Sequence, residues 1–114
     1  MGIGATCHIT PVYSGRIIIN VQGTIDNSVL AGNTTIIPLY GTGTAPTNGA
    51  AFTGTAVGQG AYIVEAVAGD AVPFSIGGII TGLSPGTAYW FDTEVKVSAG
   101  TSGPQLVSCN AMEF

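Results

Sequence analysis

Between Tyr89 and Val97 the chain alternates without a break. Tyr89, Phe91, Thr93, Val95 and Val97 fall on one side, and Trp90, Asp92, Glu94 and Lys96 on the other. Successive side chains of an extended strand leave opposite faces, so this period of two predicts a half-buried antiparallel strand. The polar side, with Lys96 continuing the row of Asp92 and Glu94, reads as a solvated mixed-charge face. Just upstream, Ser84-Pro85-Gly86 is a tight turn, in which proline sets φ and glycine is free to take a positive one. A chain carrying this unit is committed to β-sheet.

The rest of the sequence repeats the theme. Arg16 to Asp26 is a second clear strand, with Ile17, Ile19, Val21, Gly23 and Ile25 sharing one face and Ile18 the apolar exception on the other. Shorter strands are predicted over Ala5–Thr10, Thr34–Tyr40, Ala61–Val67, Val72–Ile80 and Gln105–Phe114. Pro38 removes a ladder donor, which predicts an edge strand or a bulge there. Gly41 to Gly60 reads as a long loop with a short strand around Phe52 to Val57. Seven or eight strands recur at intervals of about 8–12 residues with no helical periodicity, the pattern of an all-β antiparallel sandwich or jelly roll. No linker divides the chain, so residues 1–114 are read as a single domain.

Charge narrows the function. Two basic residues stand against six acidic ones, for a net charge of −4, and only 7% of the chain is charged. Soluble domains average about 25%. The composition argues against nucleic acid and against anionic membrane surfaces, both of which select basic patches. No apolar run approaches the ~18 residues of a membrane span. A surface of Thr, Ser, Asn, Gly and Ala suits a protein that buries much of itself in an assembly, or one that works outside the cell.

Catalytic chemistry finds no constellation. The only histidine, His8, adjoins Cys7, and neighbours on a strand point to opposite faces, so the two make no catalytic pair. Asp92 and Glu94 lie roughly 7 Å apart on one face, but no further ligands join them and Lys96 follows. Gly41-Thr42-Gly43-Thr44-Ala45-Pro46 has proline where a dinucleotide loop needs its third glycine, and no helix follows. No metal, cofactor or enzymatic activity is therefore expected. Cys7 and Cys109 admit two readings: a disulfide, if the first and last strands pair side by side, or two small buried hydrophobes. Trp90 also admits two: an exposed contact for protein or sugar, or an indole covered by a loop. Phe114, Tyr40 and Tyr13 complete the candidate contact residues.

Two resemblances follow from these residues. Gly82-Leu83-Ser84-Pro85-Gly86-Thr87-Ala88-Tyr89 resembles the turn before the sixth strand of fibronectin type III domains, and implies a tyrosine corner in which Tyr89 bonds back to upstream backbone. The core tryptophan of that family is missing, with Ile17 to Val21 in its place. The run from Tyr13-Ser14-Gly15-Arg16 through Tyr40 to Pro46, with Gly82 to Phe91 and a C-terminal strand, resembles small β-proteins of tailed bacteriophages. These are capsid decoration proteins and head or tail fibre domains, several with jelly rolls similar to the tumour-necrosis-factor and C1q class. The resemblance implies a homotrimer on the virion surface, whose partner is a capsid or fibre protein of the same particle. It also makes the first and last strands neighbours, which would bring Cys7 near Cys109. The alternative reading is a carbohydrate-binding or adhesion module, with Trp90 and nearby tyrosines stacking on a glycan.

Overall fold

A computed structural model describes residues 1–114 and contains no helix. Its strands are β1 (His8–Ile9), β2 (Ile17–Asn27), β3 (Asn33–Thr42), β4 (Thr55–Ala56), β5 (Ala61–Val64), β6 (Val72–Ile80), β7 (Tyr89–Val97) and β8 (Ser102–Glu113). They form two antiparallel sheets. One has the order β1-β7-β3-β4, with β5 also pairing β3, and the other is β6-β2-β8.

The sheets stack in a sandwich-like arrangement because each strand turns its apolar alternation inward. Ile17, Ile19, Val21 and Ile25 of β2 meet Ile36 of β3 and Phe91 of β7, all of them essentially inaccessible to solvent. Burying one such side chain stabilises by about 1.5–3 kcal/mol. At the entry to β7 the Ser84 N–H donates to the Tyr89 hydroxyl at 3.0 Å, the backward bond that the turn implied.

Two expectations are corrected by the topology. First, β3 is not an edge strand, since it pairs β7 on one side and β5 and β4 on the other. Its proline is tolerated because β5 pairs only as far as Ile36 and β4 starts opposite Leu39, so Pro38 sits in the gap. The Pro38 carbonyl accepts from Val57 N–H on that same side, which is where the missing donor would have pointed. Second, the first and last strands do not pair side by side. β1 pairs β7 and β8 pairs β2, so the Cys7–Cys109 disulfide links one sheet to the other, with Cα atoms 5.9 Å apart. Closing a loop of this size removes unfolded-chain entropy worth about 4–5 kcal/mol in the loop-closure account.

One irregularity stands out on β8. Thr24 pairs Gln105 and Gln22 pairs Ser108, so Leu106 and Val107 together face Gly23 in a β-bulge. Leu106 has φ 51°. That left-handed conformation is normally given to glycine at such a bulge, and costs a branched residue about 1–2 kcal/mol.

Candidate assembly surface

The two sheets have outer faces of opposite character. On the five-stranded sheet, the outward row of β7 is covered: Trp90, Asp92 and Glu94 are all buried. The cover comes from two segments remote in sequence, the N-terminal residues and the loop after β3. The Met1 α-ammonium lies 3.2 Å from Asp92 Oδ1, and Gly2 N–H donates to the same carboxylate at 2.9 Å. The Met1 ammonium also donates to Thr93 O at 2.8 Å. The Trp90 indole N–H donates to Thr42 O at 3.1 Å, and the ring lies so close to Gly41 and Gly54 that a Cβ at either would collide with it. Glycine is required at both positions by this close approach. The solvated mixed-charge face expected from the alternation is thus a sealed one. Only its far end stays open, where exposed Lys96 pairs with Glu94.

The three-stranded sheet is bare. Ile18 of β2 stands opposite Ile79 of β6 and Met112 of β8, and all three are exposed, at 43%, 58% and 61%. They form one apolar row across the whole sheet. The next rows are Gly77–Asn20–Asn110 and Ser75–Gln22–Ser108, which carry no charge. At the other side of the apolar row, Phe114 N–H donates to Arg16 O at 3.0 Å, and the Arg16 guanidinium lies 4.6 Å above the Phe114 ring. Across these rows Arg16 is the single charged side chain.

The end of β8 is fastened by an anion nest. Four successive backbone N–H groups, those of Val12, Tyr13, Ser14 and Gly15, donate to the Glu113 carboxylate at 2.7–3.1 Å. Converging main-chain donors favour the ionised form. The Val12 N–H contributes most, partial burial opposes it, and Tyr13, Ser14 and Gly15 add to it, holding the carboxyl down to about 2 from an ordinary 4.5. Ser14 Oγ also donates to Phe114 O at 2.7 Å.

Of the residues singled out in the sequence, Phe114 and Tyr13 are brought to one end of the molecule by this nest, with Phe114 half-exposed and Tyr13 87% exposed. Trp90 is corrected, and Tyr40 is half-buried. Trp90 is buried at 5% under its cover, so it offers no platform to a sugar ring or a protein. Tyr40 turns inward against Tyr89, with ring centroids 6.3 Å apart, and packs on the core. Cys7 and Cys109 are bonded to each other, and His8 is exposed beside them with its strand partner Trp90. Glu65, at the end of β5, is buried with neither oxygen hydrogen-bonded. No group of three or more His, Cys, Asp or Glu side chains is placed to hold a metal ion. Sequence reasoning missed the Glu113 nest and the Ile79–Ile18–Met112 row. Its one usable signal was Ile18, the apolar residue on a polar alternation; the partners across the strands depend on register. In comparisons with protein-family models, curated proteins and solved structures, the chain has no significant match.

Proposed function

We propose that this chain is a non-enzymatic structural component of a bacteriophage particle: a capsid decoration protein or a head or tail fibre domain, with jelly-roll connectivity, assembling as a homotrimer on the virion surface. The observation that carries the reading is the bare outer face of β6-β2-β8. It is a nearly uncharged sheet surface with an apolar row from edge to edge, on a domain whose other outer face is covered along β7 from Trp90 to Glu94. Burying apolar surface stabilises by about 25 cal/mol per Å². The scarcity of charge spares the contact the desolvation cost that buried ions impose. Repetition on a symmetric shell then adds avidity to a weak single contact. The inter-sheet disulfide fits an extracellular particle, since such bonds persist under oxidising conditions.

Light scattering across a dilution series, in non-reducing buffer, tests the reading. A species of three times 11.4 kDa is expected, reduced to monomer by Ile18→Asp with the fold intact. A wild-type monomer at every concentration overturns the assembly. The decoration role further requires binding to assembled shells and not to free capsid subunits; equal binding to both counts against it.

A further inference from the structure

Leu106 presents an apolar side chain in the most conspicuous way this fold allows. It is 88% exposed, more than any other large hydrophobic residue of the chain. It also holds φ 51° on the bulge of β8, a conformation that glycine or asparagine adopts at less cost. Bulges re-aim side chains at edges, and β8 is an edge strand whose outer side pairs with nothing. Exposure and strain fall on the same residue, so neither packing nor backbone geometry of the single chain accounts for a leucine there.

The same molecule carries a hollow with an apolar side. Between the end of β7 and the start of β8 lies an open hollow of about 380 Å³, in which Phe52, Val95 and Val97 stand beside the polar but uncharged Asn48, Thr101 and Ser102. Phe52 and Val97 are 49% and 40% exposed at it. No charged side chain lines it. That matters because copies of a chain with net charge −4 repel one another, and a contact free of carboxylates on both sides is where that repulsion is least.

We propose that Leu106 is the anchor of a contact between two copies of this chain, inserting into the Phe52–Val97 hollow of its neighbour. Each copy gives one leucine and receives one, a head-to-tail contact that makes a closed ring where the rotation between neighbours divides the circle. This inference rests on the homo-oligomeric reading above and adds to the bare sheet face a second, specific point of attachment between subunits.

The test compares wild type with Leu106→Gly and Val97→Lys by light scattering across dilution, with melting measured below the dissociation range. Leu106→Gly is expected to melt no lower than wild type, because glycine relieves the left-handed strain, while oligomers dissociate at a concentration at least tenfold higher. Val97→Lys weakens the oligomer similarly, and the double variant weakens it no more than either single one, the sign of residues acting in one contact. Dissociation of Leu106→Gly at the wild-type concentration overturns the inference and leaves the assembly reading standing. Additive effects of the two substitutions also overturn it. A wild-type monomer throughout overturns both.

Discussion

The two outer faces of this sandwich-like fold begin from similar sequence and end in opposite states. On β7 the outward residues Trp90, Asp92 and Glu94 are all buried, and only Lys96 at the end of the row is exposed. On β2 they are Ile18, Asn20 and Gln22, with an isoleucine left in solvent. Strand by strand, the more polar row is the hidden one. The difference lies in what happens to cross each face. A segment some ninety residues upstream of β7 delivers an ammonium and backbone donors to Asp92, making it affordable to bury. Nothing crosses β6-β2-β8. Whether a sheet face is core or contact surface is decided by the cover, and the cover is a tertiary fact.

The comparison breaks most severely at Asp92. Asp92→Ala leaves the Met1 ammonium without its counter-ion, with Thr93 O as its remaining acceptor, and the Gly2 and Thr93 N–H groups without the carboxylate. Removing one partner of a buried ion pair costs about 3–5 kcal/mol. The midpoint of urea unfolding should fall accordingly, and Trp90 emission should move to the red as the N-terminal cover lifts. The cognate change on the bare face, Ile18→Asp, should leave the midpoint nearly in place. An Asp92→Ala variant unfolding at the wild-type midpoint, with unshifted emission, would show that the cover is not held by this pair.

A smaller effect is expected at Gly41, where the seal is steric. Gly41→Ala puts a methyl into the Trp90 indole, and overpacking of this kind costs about 1–3 kcal/mol. Thermal unfolding checks it. Since the substituted side chain points outward on the covered sheet, the oligomer's dissociation should not change. Loss of assembly with unchanged melting would place Trp90 in a subunit contact after all.

Much of the fold was legible because period-two alternation is written locally. Ile17, Ile19 and Val21 mark the inner face of β2, Tyr89, Phe91 and Val95 that of β7, and each lies in or against the core. The Ser84–Gly86 turn was equally local. What was not legible required knowing which segments meet. Trp90 is sealed by Gly41 and Gly54, Pro38 is harmless because β5 stops before it, and Cys7 reaches Cys109 across the sheets rather than along one. Ile18 was visible as an anomaly, but its meaning came only when register placed Ile79 and Met112 beside it. The function was the least legible, for an apolar row assembled by register across three strands leaves no motif in the sequence.

The subtlest difference between the two faces is in how their chain ends are tied. The N-terminal cover uses a cation on a buried carboxylate. The end of β8 uses a carboxylate on backbone donors, which hold Glu113 at about 2 against an ordinary 4.5. The folded chain therefore binds fewer protons than the unfolded chain between those values. The stability that Glu113 contributes is fully present above about 4.5 and is lost as pH falls toward 2. Glu113→Gln should be slightly less stable than wild type near neutrality, with the gap closing through that acid window, as read by urea midpoints at stepped pH. Salt should shrink the neutral-pH gap only modestly, because the donors touch the carboxylate directly. A gap that stays constant down to the acid limit would mean that the charge contributes nothing, and that shape alone seats Glu113 in the Val12–Gly15 loop. Met112 and Phe114 flank this residue, so the same variant should also loosen the apolar row at its β8 end, where amide exchange would register it first.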